Sequence, residues 1–202
     1  ITNDQVEGYK NSIDQLANMH INNYFFYDVY NTPANPFPAN VERFTQDWAT
    51  FLIPNSETDP DKRKSYLPVI DTEAVKELVA HVHTTGAKAM LYNMIYAVSL
   101  EEGVPNEVKS AIVRNLQDHF NFGKKGDVTA TDIQQFLDPG DPNWQKFIIE
   151  VMTKAMKEGN FDGWQGDTMG SNWVEKVSEP GKGFYLSEHY PELATAATEA
   201  LK

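Results

Sequence analysis

Cysteine is absent from this chain. That excludes disulfides, a thiol nucleophile and thiolate metal sites, and it leaves the compartment open. No apolar run approaches the roughly 20 residues that cross a bilayer, so membrane insertion is not expected. Positive charge is scarce: 17 Lys and Arg stand against 29 Asp and Glu, a formal net charge of -12. Such a surface repels phosphate backbones, and nucleic acid is not an expected partner. A neutral polymer meets no such repulsion. Glycine-rich phosphate loops follow none of the candidate strands, which counts against nucleotide-binding versions of an open α/β sheet. The five histidines, His20, His81, His83, His119 and His189, show no zinc-type spacing. His81 and His83 are two apart on a predicted helix and do not share a face, and His20 and His189 read as surface residues at helix ends. An EF-hand pattern and a nucleophile-elbow serine are missing too. Neither a metal nor a cofactor is expected.

What is present fits one ordinary globular domain of 202 residues, with 41% hydrophobic and 23% charged positions. Aromatics reach 12% and gather in particular loops. That pattern suits a carbohydrate site, where sugar rings lie on aromatic faces, and it equally suits a well-filled core. Met90, Met94, Met152 and Met156 read as core fillers.

Periodicity gives the order of elements. Thr2 and Asn3 are candidate caps for a helix with Val6, Tyr9, Ile13, Leu16 and Ala17 at helical spacing, stopping near His20. Ile21 to Tyr27 reads as a buried strand ending at Asp28. Residues 29 to 70 carry many prolines and form a long loop, with Phe44, Trp48 and Phe51 marking a short helical piece. Asp71 or Thr72 caps a second helix with the stripe Val75, Leu78, Val79 and Val82, closed by Gly86. Lys88 to Tyr92 is a second strand running into Asn93. A further excursion over 97 to 140 holds an expected helix from Val108 to Phe120 and a turn at Gly123 to Gly126. A third helix spans Asn143 to Glu158, buried through Trp144, Phe147, Ile148, Val151, Met152 and Ala155, and Gly159 closes it. Phe161 to Gly166 is the third strand, ending at Asp167. A last helix starts near Pro191 and runs to the final residue.

Alternating helices and strands imply parallel strands with right-handed crossovers. Connections after helices are short, while those after strands are long. In barrels the strand-to-helix loops at the carboxyl ends of the strands carry the active site. A complete (β/α)8 barrel needs about 250 residues. The expectation is therefore an α/β fold, a TIM-type barrel of which residues 1–202 supply roughly strands two to four as a partial catalytic domain. An open doubly wound sheet is the alternative. No signal-peptide pattern is present, and because the chain opens on Ile1 rather than Met, export is left open.

Asp28, Asn93 and Asp167 each fall just past a predicted strand. Parallel strands would deliver them to one rim. The stretch Phe161 to Gly170, FDGWQGDTMG, holds two carboxylates. Asp162 opens its strand and is expected to bond backbone amides there. Asp167 sits at the loop end, with Gly166 and Gly170 nearby allowing close approach of a ligand. Glycoside hydrolysis uses two carboxyl groups, about 5–5.5 Å apart in retaining enzymes. Asp28 is a partner by position alone, or a ligand for a sugar hydroxyl. No Glu follows a predicted strand, so an acid/base is expected beyond Lys202.

Four stretches then resemble glycoside hydrolase family 66, which contains dextranases and cycloisomaltooligosaccharide glucanotransferases. YFFYDVY at Tyr24 to Tyr30 is similar to that family's second strand, and KAMLYNMIYA at Lys88 to Ala97 to its third. LDPGDPNWQ at Leu137 to Gln145 resembles the segment before the next helix, and FDGWQGDTMG its fourth strand. The resemblance spans nearly the whole chain. It implies a retaining enzyme on α-1,6-glucan, secreted or in the cell envelope, with an Asp nucleophile carried onto Asp167 and Asp162 as fallback. It implies sugar contacts from Asp28, Tyr92, Asn93, Trp164 and Gln165, and it adds Asp162 to that set. Family members commonly carry basic residues after the second-strand Asp; here Asn31 and Thr32 stand there, which bears on the substrate contacts. A transglycosylase making cyclic products and a non-catalytic sugar-binding barrel are the alternative readings. The 202 residues alone, lacking an acid/base, are expected to be inactive.

Overall fold

The computed structural model describes residues 1–27, 34, 36–37, 42–43, 54, 56–66, 69–99, 103–116, 134–167 and 172–201, with 42, 43, 60, 64, 99, 134 and 167 described in backbone only. In chain order the elements are α1 (Val6–Asn18), β1 (Asn23–Phe26), β2 (Glu42–Arg43), α2 (Pro60–Ser65), β3 (Val69–Ile70), α3 (Thr72–Thr84), β4 (Lys88–Met94), β5 (Ala97–Ser99), β6 (Val113–Asn115), β7 (Gln134–Phe136), α4 (Pro142–Gly159), β8 (Gly163–Asp167), β9 (Trp173–Lys176), β10 (Gly183–Tyr185) and α5 (Tyr190–Ala200). They fold into two compact units, Ile1–Asn93 with Met152–Gly166, and Met94–Val151 with Asp167–Lys202.

The first unit is built on a three-stranded sheet in the order β1-β4-β8. β1 and β4 are parallel, with Asn23 opposite Lys88 and Phe26 opposite Leu91. Helices lie between the strands in sequence, as parallel pairing requires. Asp71 caps α3 as expected: its Oδ1 accepts from the N–H groups of Glu73 and Ala74 at 3.1 and 3.2 Å. The α3 face of Ala74, Val75, Leu78, Val79 and Val82 is buried, each large aliphatic contributing roughly 1.5–3 kcal/mol. Gly86, at φ 76°, turns the chain into β4. α1 lies against α3, held at its polar margin by Lys10 to Glu77 at 2.5 Å and His81 to Asp14 at 2.8 Å. Of the expected α1 stripe, Val6 and Ile13 are buried, while Tyr9 and Leu16 are exposed.

β1 departs from the expected buried strand. Only Phe26 is buried among its four residues, because β1 is the outer strand of the described sheet. Phe26 meets Phe161 edge-on at 5.5 Å, and Phe37 meets the same ring at 5.6 Å. These contacts explain the end of α4. Gly159 is its last residue, yet Asn160 takes the left-handed conformation, φ 56°. A Cβ on Gly159 would run into the Phe161 ring. The glycine is there for clearance, and Asn supplies the turn.

In the second unit, β5 pairs antiparallel with β7, and β9 lies between β10 and β6 in a second antiparallel sheet. Neither was anticipated, nor were α2 and the β2–β3 pair. The expected helix from Val108 to Phe120 is overturned. A short 3-10 turn covers Asn106–Ala111, and the chain then extends into β6. Burial alternates there: Ala111, Val113 and Asn115 are inside, Ile112 and Arg114 less so. That period of two, with two β-branched residues, belongs to a strand. Trp144 anchors the unit, donating from Nε1 to the Ile95 carbonyl at 2.9 Å. Along α4, Trp144, Ile148, Met152, Ala155 and Met156 are buried, while Phe147 and Val151 are half-buried. α5 ends at Ala200 rather than running to the last residue. The expected helical piece at Phe44 to Phe51 and the turn at Gly123 to Gly126 lie outside the described residues.

Candidate functional site

The carboxyl ends of β1, β4 and β8 are the place to look for chemistry. β1 hands on to Tyr27, β4 carries Tyr92 and Asn93 near its end, and β8 reads Gly163, Trp164, Gln165, Gly166 and Asp167.

Tyr92 is 5% exposed and its ring stacks on that of Tyr27, with centroids 4.1 Å apart and planes 30° apart. Tyr27 is 48% exposed. The pair forms an aromatic platform whose lower ring is fixed in the fold and whose upper ring meets solvent. Tyr27 did not stand out in the sequence, where it read as the last residue of a buried strand. Its position one residue before Asp28 was the available signal. Asp28 itself lies outside the described residues.

Asn93 corrects the expectation of a third polar side chain at the rim. It is fully buried, and its Nδ2 donates to Sδ of Met152, on α4, at 3.2 Å. A residue two positions from Leu91 shares its face of the strand, and that face packs under the helix. Asn93 is thus a core residue rather than a sugar contact.

Trp164 and Gln165 are half-buried, and each leaves a polar atom enclosed without a hydrogen-bond partner among the described residues: the indole Nε1 and the amide Oε1. Orphaned polar atoms of this kind cost about 1–3 kcal/mol each. Such a cost is tolerated where a ligand or water completes the bond. One donor and one acceptor therefore stand on consecutive residues, two and three positions before Asp167, the last residue of β8. The Asp167 side chain is outside the described atoms.

Asp162 is placed at the other end of the same strand. Its carboxylate accepts from Lys88 Nζ at 2.7 Å, from the Ala89 N–H at 2.8 Å and pairs with His83 Nε2 at 2.7 Å. Its own N–H donates to the Ala89 carbonyl at 2.8 Å. Burial pushes the carboxyl pKa up, but Lys88, the Ala89 amide and His83 outweigh that and hold it at about 2. This is a clasp joining the starts of β4 and β8 to the end of α3. The expected amide-bonding role fits it, and the roles of sugar ligand and fallback nucleophile do not.

Among the described residues no three of His, Asp and Glu converge in a metal-holding arrangement. No described helix is long and apolar enough to cross a membrane.

Residues 2–202 match the sequence pattern of glycosyl hydrolase family 66. The chain belongs to that family. A protein described as a dextranase, from Streptococcus salivarius, is 44% identical over 174 residues, covering 84% of this chain and 19% of the relative. The backbone is also similar to that of a Paenibacillus sp. cycloisomaltooligosaccharide glucanotransferase complexed with cycloisomaltoheptaose, with a TM-score of 0.64. That likeness covers 100% of this chain and 27% of the other at 18% identity, and it speaks to fold alone. This family 66 chain thus spans about a fifth of the curated dextranase and about a quarter of the solved transferase.

Proposed function

We propose that this chain is the part of a (β/α)8-barrel glycosidase that carries strands two to four, acting on α-1,6-glucan (dextran or isomaltooligosaccharides) by a retaining double displacement with Asp167 as nucleophile. The observation that supports the reading is the enclosed polar atoms on Trp164 and Gln165, unpartnered among the described residues, three and two residues before Asp167 in the sequence. Sugar hydroxyls both donate and accept, so a glucan supplies partners of either kind, and, as consecutive strand residues, the two side chains face opposite sides of the sheet. The Tyr27–Tyr92 platform adds a ring face for a sugar to lie on. Family membership supports glycoside chemistry, and the Streptococcus salivarius relative supports dextran as substrate.

In the proposed mechanism the Asp167 carboxylate attacks the anomeric carbon, the glycosidic C–O bond breaks, and a Glu beyond Lys202 protonates the departing oxygen. The same Glu then takes a proton from water as the ester is hydrolysed. Capture of the ester by a sugar hydroxyl of the same chain gives a cyclic product, which is the transglycosylase version of the same site. Without that Glu the 202 residues by themselves are expected to be inactive. Dextran is too large to cross a membrane, so a secreted or cell-envelope location goes with this reading.

Proton NMR of the full-length protein digesting an isomaltooligosaccharide tests it. The α-anomer is expected to appear first. A β-anomer appearing first overturns the retaining mechanism, and cyclic products in place of reducing ends assign the transferase version.

A further inference from the structure

The run LDPGDPNWQ is not explained by the site above, and the structure shows what it builds. In the second unit Asp138 is 1% exposed. Its Oδ1 pairs with His189 Nδ1 at 2.5 Å and accepts from the Gly140 N–H at 2.8 Å, and its Oδ2 meets Lys176 Nζ at 3.1 Å. Lys176 also reaches Asp141 at 3.1 Å. The His189 ring stacks on Phe184 at 4.6 Å and 24°. It lies so close over Gly140 that a Cβ there would be 2.7 Å from the ring. His189 is thus not the simple surface residue expected from its place at a helix end. Its imidazole is fixed by a carboxylate, a ring and a glycine floor. With Nδ1 engaged by Asp138, Nε2 is the ring nitrogen left for a ligand, and it has no partner among the described residues.

His189, Asp138, Lys176 and Phe184 line a cavity of about 360 Å³, within the range of small-ligand pockets. Its rim carries Glu179 and Lys182, paired at 2.9 Å and both open to solvent, and Glu192. Three carboxylates and two ammonium groups nearly cancel, so the lining favours neither a phosphate nor a metal cation. Adjacent donors and acceptors beside a half-buried ring suit a neutral polyhydroxy ligand.

We propose that this cavity is a second carbohydrate-binding site, taking one neutral hexose unit. His189 Nε2 hydrogen-bonds one sugar hydroxyl, which can donate or accept, and the Glu179–Lys182 pair brackets a vicinal diol. The proposal shares no residue with the β4 and β8 ends and does not depend on Asp167 being a nucleophile.

The test is NMR of the full chain, labelled with ¹⁵N at histidine and titrated with isomaltotriose and, separately, with inorganic phosphate. Isomaltotriose is expected to shift the His189 ring signals saturably, with a Kd on the order of 1 mM. Lys182→Gln, at an exposed position, is expected to weaken that Kd about fivefold, the loss of one hydrogen bond, with an unchanged Tm. Asp167→Asn is expected to leave the His189 shift as it was, even if it abolishes turnover. No saturable shift with isomaltotriose, a response to phosphate alone, or a Kd indifferent to Lys182→Gln overturns the proposal.

Discussion

Tyr27 rests its exposed ring on the buried ring of Tyr92, with centroids 4.1 Å apart. On the proposed reading Tyr27 serves binding and Tyr92 serves folding. Tyr27→Ala is expected to raise KM for isomaltooligosaccharides about tenfold, as loss of one aromatic stacking contact implies, with little change in Tm. Tyr92→Ala removes a core ring and is expected to cost about 3–5 kcal/mol of stability. Steady-state kinetics and urea denaturation on both variants check the split. Equal loss of stability in the two contradicts it.

Asp162 ties stability to acid. Its folded pKa, about 2, lies below the usual carboxylate value. For a depressed carboxyl the stabilisation is fully present above the unfolded pKa, near 4, and is lost as pH falls through the folded value. The clasp is part-exposed, so its worth is discounted to on the order of 1 kcal/mol. Asp162→Asn is expected to lower the denaturation midpoint at pH 7 and to flatten its decline between about pH 4 and pH 2. Glucan-cleaving activity at neutral pH is expected to survive, in keeping with a residue far from the strand ends. Denaturant titrations across that pH range decide it.

Gly159 offers a test in which propensity and packing disagree. In an open helix, Gly→Ala stabilises by about 0.8–1 kcal/mol. Here the new Cβ meets the Phe161 ring, and overpacking costs typically about 1–3 kcal/mol. Gly159→Ala is expected to be destabilising, and Gly159→Ala with Phe161→Leu to recover part of the loss. Thermal denaturation of the two variants reads this out.

At the start of α3, Asp71 caps two amide groups through Oδ1 and accepts from Asn3 Nδ2 at 2.7 Å through Oδ2. Asp71→Ala is expected to cost about 1 kcal/mol or slightly more, seen as a lowered Tm, while Asn3→Ala costs less.

Helices with strong local signals were legible in the sequence. Asp71 and Gly86 bracket α3 because capping chemistry is local, and the Trp144-to-Met156 stripe marks α4 because burial repeats at helical spacing. Strand order and the carboxyl-end position of Asp167 followed from alternation. The antiparallel sheet of β6, β9 and β10 was not legible. Each of its strands is three or four residues long, too short for a clear period. The apolar spacing of helical kind from Val108 onward yielded to a 3-10 turn and then, at Val113 to Asn115, to cross-strand pairing with Val174 to Lys176. The site was half legible. Trp164 and Gln165 stood out by motif, but Asn93 turned inward because which face of a strand packs under a helix is a tertiary fact. His189 stood out not at all, since its partner Asp138 is 51 residues away.

The central claim is that Asp167 carries the chemistry, and Asp167→Asn in the full-length enzyme tests it most directly. The expected result is a fall in kcat on dextran of at least about 10⁴-fold with Tm and isomaltotriose binding preserved. Near-normal turnover by that variant would contradict the account.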